Sequence, residues 1–269
     1  MVRWEERFGP YAPFGSRLLR ARRPAQRGTD VALLQYLHNT LRTLLDQPYG
    51  VAVNVDGVWG PATEAAVRAL QHRFGIRADG IVGPATYFTL GHGVGAHTTY
   101  GGPPLASRTL VQGNTGGDVF VLQNRLALYR YSDALGQPPN GTFGATTAEA
   151  LKQFKADAGA AGDTGLSQEP VADGPTFDAL CLYTHAGGRA IFGGRNGLDV
   201  ALVQKLLRSA GLYHGPVDGR YSPLAAAAVR AFQQKNGLSV DGIVGPATFL
   251  ALGRANPQPA PHPLPSPHL

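Results

Sequence analysis

Apolar positions recur at helical spacing along most of the chain. Leu34, Leu37, Leu41, Leu44 and Leu45 fall on one face of a first helix. Thr63, Val67, Leu70 and Phe74 do the same for a second, echoed by Leu151 and Phe154 and by Val229 and Phe232. A short third helix is predicted over residues 84–90, with counterparts at 175–180 and 246–252. Gly60-Pro61, Gly83-Pro84, Ser222-Pro223 and Gly245-Pro246 read as helix starts, because Gly or Ser suits the N-cap and proline loses no needed hydrogen bond at the next position. Asp56-Gly57, Asp79-Gly80, Asp218-Gly219 and Asp241-Gly242 are turn pairs, in which glycine tolerates positive φ and the Asp side chain bonds local backbone.

These elements come in three copies. Residues 55–86 and 217–248 are identical at 19 of 32 positions, and a weaker copy reads DVFVLQNRL from Asp118, PNGTFGATTAEALKQF from Pro139 and ADGPTFDAL from Ala172. Upstream, DVALLQ at Asp30, DVFVLQ at Asp118 and DVALVQ at Asp199 repeat, preceded by SRLL at Ser16, SRTL at Ser107 and GRAI at Gly188. The expected fold is all-α: three tandem small three-helix bundles with short extended connectors. Its expected parts are an arginine-rich arm (1–28), a first repeat (29–91), a connector (92–116), a divergent second repeat (117–186), a connector (187–198), a third repeat (199–253) and a proline-rich tail (254–269).

Composition agrees with many short elements joined by turns, since 36 glycines and 21 prolines stand among 269 residues with no collagen-like period. No apolar run reaches the roughly 18 residues of a membrane span, and residues 1–30 lack the apolar core of a signal peptide, so neither a span nor classical secretion is expected. The net charge of +6 is concentrated in the arm, where Arg3, Arg7, Arg17, Arg20, Arg22, Arg23 and Arg27 face only Glu5 and Glu6. Such a segment fits an anionic wall polymer, nucleic acid, an acidic patch of a neighbouring subunit, or a solvated terminus. Elsewhere basic and aromatic residues do not cluster, and nucleic acid is not the expected partner. Alternating prolines from Pro257 to Pro267 favour an extended spacer or docking strip. The lone Cys181 cannot form an internal disulfide.

The order D-V-x-x-L-Q, then V-D-G-x-[aromatic]-G, then A-V-x-x-[L/F]-Q, then D-G-I-V-G-P-x-T resembles the peptidoglycan-binding domain, a three-helix module found beside many cell-wall hydrolases. Copies one and three carry nearly all of it, and the three copies cover most of residues 30–253. The resemblance implies recognition of bacterial wall glycan or stem peptide by a noncatalytic module. Three departures stand out. The stretch from Asp30 to Val55 is seven residues longer than that from Asp199 to Val217, predicting about two extra helical turns. Copy two has Asn140 where its partners have Asp, an insert at 159–170, and no I-V-G after Asp173-Gly174, so it is the copy least expected to keep the ligand site. Copy three has Ser222 in place of the motif glycine and Ala225 in place of Thr63.

Trp59, Phe143 and Tyr221 occupy one repeated position, where a ring either stacks on a sugar face or fills a small core. Asp56 and Asp218 either bond glycan hydroxyls or peptide amides, or only form their turns. Gln35, Gln123 and Gln204 share a helical position that serves either a groove-facing ligand group or a buried interhelical hydrogen bond. The candidate binding set is therefore Trp59, Tyr221, Asp56, Asp218, Gln35 and Gln204. No catalytic residues, metal or other cofactor are expected: Cys181 and His185 stand four apart without a third orienting group, His92 and His97 read as loop histidines, and acidic residues are scattered singly. The expected function is a noncatalytic protein of a wall, spore or virion surface that binds peptidoglycan through tandem repeats. The alternative is a structural subunit polymerising head to tail through its arm and tail.

Overall fold

A computed structural model describes residues 4–94, 100–162, 165–256, 258 and 261. His97 and nearly all of the proline tail lie outside the described residues. The chain forms α1 (Trp4–Phe8), then a first unit of α2 (Thr29–Leu44), α3 (Pro61–Phe74) and α4 (Pro84–Thr89). The second unit holds α5 (Gly117–Ala127), α6 (Ser132–Leu135), α7 (Ala145–Ala160) and α8 (Gly174–Tyr183), and the third α9 (Leu198–Ser209), α10 (Pro223–Lys235) and α11 (Pro246–Ala255). Among the described residues there is no strand longer than an isolated bridge, so the fold is all-α. Prolines open α3, α4, α10 and α11, and Ser222 caps α10 by accepting the Ala225 N–H at 3.2 Å.

Two extended contacts repeat in each unit. Leu19 pairs with Val82, Leu110 with Ala172 and Ile191 with Val244; Arg27 pairs with Val58, Thr115 with Thr142 and Asn196 with Arg220. An arginine upstream of each first helix then returns to an aspartate in its first turn: Arg17 to Asp30, Arg108 to Asp118 and Arg189 to Asp199, with Nε–Oδ2 distances of 2.7, 2.7 and 2.6 Å. In each pair Nη2 donates to Oδ1 as well, and Oδ1 also accepts the next backbone N–H, as at Val31, Val119 and Val200. A bidentate fork thus fixes the entry of every unit and places a carboxylate at the positive end of its helix. Residues 17–27 of the expected arm are held against the first bundle by these contacts.

The extra residues of the first unit lengthen its helix by one turn, not two: α2 has 16 residues and α9 has 12. Pro48 and Gly50 oppose further helix, and Leu45 is already extended. The surplus loops back, held by Asn39 across the Val53 backbone at 2.8 and 3.0 Å, by Arg42 Nε to the Tyr49 carbonyl at 2.8 Å, and by His38 to the Val51 carbonyl at 2.9 Å.

The units close on one another. α2 packs on both α8 and α9, and α11 packs on α5 and α6, so every unit touches the other two. One hydrophobic cluster runs through all three. Asp178 of α8 accepts from the Phe14 N–H and the Thr29 hydroxyl, and Arg125 bonds the Gly91 carbonyl at 3.2 Å. Asp46, in the surplus loop, takes a bidentate bond from Arg208 and the Val217 N–H of the third unit. Gly253 and Gly197 mark close approaches: a Cβ would meet the Ala127 carbonyl oxygen at 2.0 Å and the Thr89 carbonyl oxygen at 1.9 Å. These contacts join the three units within the one chain.

The three forks differ in burial, which sets an expectation. Arg189 and Asp199 are 1% and 0% exposed, whereas Arg17 keeps 38% exposure. Asp199→Ala strands a buried guanidinium and is expected to cost about 3–5 kcal/mol; Asp30→Ala should cost clearly less, because Arg17 can turn to water. Urea unfolding followed by helical circular dichroism checks the order, and equal losses would contradict it.

Candidate functional site

The repeated glutamine is a clasp. Gln35 lies 1% exposed in α2, and its Oε1 accepts the backbone N–H groups of Asp56 and Gly57 at 3.1 and 2.9 Å. Its Nε2 donates to Asp56 Oδ1, the Val58 carbonyl and Thr63 Oγ1 at 2.9, 3.1 and 3.0 Å. Asp56 Oδ1 accepts the Val58 N–H at 2.9 Å, closing the turn on itself. Gln204 holds Asp218 and Gly219 in the same way, with Nε2 to Asp218 Oδ1 at 2.8 Å. Ala225 offers no hydroxyl there, and Tyr213 supplies one instead at 3.1 Å. In the second unit Gln123 binds Asn140, Gly141, Thr142 and Thr147 in the same arrangement.

A second clasp, absent from the expected set, sits one helix later. Gln71 holds Asp79, Gly80, Ile81 and Thr86, and Gln233 holds Asp241, Gly242, Ile243 and Thr248. The closing glutamine of the A-V-x-x-[L/F]-Q motif was the signal for it. In the second unit Lys155 replaces this glutamine, and its ammonium bonds Ser167 Oγ and the Glu169 and Val171 carbonyls. The Leu110–Ala172 bridge matches Leu19–Val82, which shifts the register expected for Asp173-Gly174: Asp173 is the N-cap of α8, accepting the Thr176 N–H at 3.2 Å, and is not a turn residue.

The aromatic position faces inward. Trp59, Phe143 and Tyr221 are 3%, 1% and 7% exposed, their backbone N–H groups bond Gln26, Asn114 and Arg195 carbonyls, and the Tyr221 hydroxyl donates to the Gly242 carbonyl at 2.6 Å. Gln35 and Gln204 are equally enclosed. Of the six candidates only the two aspartates reach the surface: Asp56 is exposed and Asp218 half-buried. Each uses Oδ1 for its turn, and no hydrogen bond reaches Oδ2 from the described residues. The glutamine and aromatic side chains position these carboxylates from below.

Cys181 meets a different histidine from the one its spacing indicates. His185 caps its own helix end through the Leu182 carbonyl, while Cys181 Sγ lies 3.5 Å from His92 Nδ1. His92 does lie in the loop after α4, but it is buried: it is 2% exposed, and its Nε2 donates to the Phe14 carbonyl at 2.9 Å. That bond fixes the proton on Nε2 and leaves Nδ1 to accept from the thiol. Burial, with Arg125 nearby, presses His92 down to about 3, and burial pushes the Cys181 thiol up to about 11. A neutral imidazole on a neutral thiol is packing chemistry, since the thiolate is the nucleophile. Among the described residues no group of three or more His, Cys, Asp or Glu side chains could hold a metal ion, and no helix is long and apolar enough to cross a membrane.

Two outcomes are expected. Gln35→Met leaves the buried Gly57 N–H without its acceptor and should cost about 1–3 kcal/mol in urea unfolding, with the helices retained. Because His92 in the fold resists protonation from its ordinary value near 6.5 down to about 3, the unfolded chain binds the extra proton across that window. Stability present above pH 6.5 is therefore lost as pH falls through it, and His38, also lowered by burial, adds in the same direction. His92→Phe should flatten the fall of unfolding free energy with acid; an unchanged slope would contradict this assignment.

The profile of the peptidoglycan binding domain family matches residues 27–90, 115–167 and 196–252, more than half the chain. The zinc D-Ala-D-Ala carboxypeptidase of Streptomyces albus G is 53% identical over 38 residues, 14% of this chain and 15% of that enzyme. The N-acetylmuramoyl-L-alanine amidase CwlM of Mycobacterium tuberculosis is 38% identical over 74 residues, 28% of this chain and 17% of the amidase. The chain thus spans less than a fifth of the length of either relative. Among solved structures, the SleB N-terminal domain is 40% identical, with 25% of this chain and 92% of that one covered at a TM-score of 0.25. The three units with their repeated clasps are three copies of one module, and the chain belongs to the peptidoglycan binding domain family.

Proposed function

We propose that this protein is a noncatalytic binder of peptidoglycan at the bacterial cell envelope, acting through its tandem units. The observation that carries the reading is the occurrence of the family's module three times in one chain. Its relatives named above are a D-Ala-D-Ala carboxypeptidase and an N-acetylmuramoyl-L-alanine amidase, each matched only over a short segment. In this chain the one cysteine is a buried, protonated thiol, and the turn aspartates are engaged in backbone geometry. These features support binding over bond cleavage.

Within this reading the uncovered Oδ2 atoms of Asp56 and Asp218 accept hydrogen bonds from wall hydroxyls or amides. Because the units are packed together, their sites are presented at fixed separations, so simultaneous contact raises weak single-site affinity where the polymer matches that spacing. The second unit supplies the control: Asn140 makes every turn bond that aspartate makes in its neighbours. Asp56→Asn with Asp218→Asn therefore keeps the turns and removes the carboxylates. The wild-type chain is expected to sediment with purified sacculi and to release no muropeptides, and the double variant to keep its melting temperature while losing about tenfold or more in sacculus affinity, the weight of one or two charge-assisted hydrogen bonds. Undiminished binding by the folded variant would remove the aspartates from the site, and failure of the wild type to sediment would remove the function.

A further inference from the structure

The first unit differs from its sisters at one exposed loop. Between its two extended contacts, at Leu19 and Arg27, lie residues 20–26, whereas the second unit spans Leu110 to Thr115 with residues 111–114 and the third Ile191 to Asn196 with 192–195. The first unit therefore carries three additional residues. Its sisters' turns hold one cation between them, Arg195, which is stacked over Phe88 and Phe192 at 4.9 and 4.3 Å. The longer loop instead holds Arg20, Arg22 and Arg23, with Arg27 at its end, and all four are exposed. No acidic residue occurs between Arg7 and Asp30, and Asp30 is already taken by Arg17. None of the four makes an ion pair with a described residue.

The loop is also held at its base. Gln26 is 8% exposed; its Oε1 accepts the Arg20 N–H at 2.5 Å and its Nε2 donates to the Leu18 carbonyl at 3.1 Å. Arg17 Nη2 donates to the Arg27 carbonyl at 2.9 Å, and the Gln26 carbonyl accepts the Trp59 N–H at 2.9 Å. Four guanidinium groups thus project from a short backbone fixed at both ends, which lowers the ordering cost of binding. Closely spaced, unneutralised, forked donors suit a linear polymer bearing one phosphate per repeat, where several phosphates are met in succession and their counterions released.

We propose that residues 20–27 form a second binding site, for a phosphodiester polymer of the bacterial wall, distinct from the turn aspartates and independent of peptidoglycan recognition. Two full-length variants test it. In one, residues 20–26 are replaced by the four residues at 111–114, the turn that already joins the same two contacts in the second unit. In the other, Arg20→Gln, Arg22→Gln and Arg23→Gln keep the loop length and touch no side-chain hydrogen bond described for the fold. Inorganic polyphosphate serves as soluble probe, and sacculi are used before and after hydrolytic removal of their phosphodiester polymers.

The wild type is expected to bind polyphosphate with a log–log salt slope of about −2 to −3, the value for three to four phosphate contacts. Both variants should lose about tenfold or more in affinity and most of that slope, and should bind stripped sacculi as the wild type does. Removal of the polymer should weaken the wild type and leave the variants unchanged. Equal polyphosphate binding by wild type and a folded variant would overturn the proposal, as would wild-type binding to sacculi that is indifferent to stripping. Binding to stripped sacculi is the separate readout of peptidoglycan recognition, so either site can fail alone.

Discussion

A buried carboxamide is the group on which each unit depends. Glutamine offers one acceptor and two donors on a single rigid plane, which is what a tight Asp-Gly turn lacks: partners for its inward N–H groups and for the carbonyl that follows. Placing that amide on a helix face converts a turn that would need water into one sealed against the core. The arrangement at Gln35, Gln71, Gln204 and Gln233 explains why units of this size hold a defined shape. It also explains why the aromatic ring beside each first turn points inward, since the clasp brings the turn down onto it.

The forks at the start of each unit do the complementary task. They tie an extended segment to a helix end, so that residues ahead of each first helix belong physically to the bundle that follows. Docking between units uses more varied means: a carboxylate on α8, an arginine reaching Gly91, Asp46 at the start of the surplus loop, and glycines where backbones nearly touch. The entry forks and first clasps thus repeat in all three units, while the contacts between units do not repeat.

Helices, turns and the threefold repeat were legible in the sequence because each rests on local signals: spacing of Leu and Phe, proline after Gly or Ser, glycine after Asp. The family pattern was legible for the same reason. The partner of Cys181 was not, because His92 lies 89 residues away and meets it only when the first and second units dock. The register of Asp173 was misread because Asp-Gly serves both a turn and a helix start, and only the Leu110–Ala172 pairing separates them. Nor could spacing say that the extra residues after α2 would turn back and reach the third unit. The candidate site was legible as a set of positions but not by direction: glutamine and aromatic residues at repeated positions satisfy a ligand or a core equally well until burial is known.

The third unit's clasp carries a consequence for how such copies diverge. Its amide takes a hydroxyl from Tyr213, where the first unit takes it from Thr63, and Ala225 stands in the vacated place. The requirement has been kept while the residue meeting it has moved to another element. Without Tyr213 the Gln204 amide would keep only Asp218 and the Arg220 carbonyl, and a threonine added at 225 would compete with the tyrosine hydroxyl for the same donor. A chimaera that grafts the first unit's threonine into the third, or removes the third unit's tyrosine alone, therefore inherits the mismatch and not the fit.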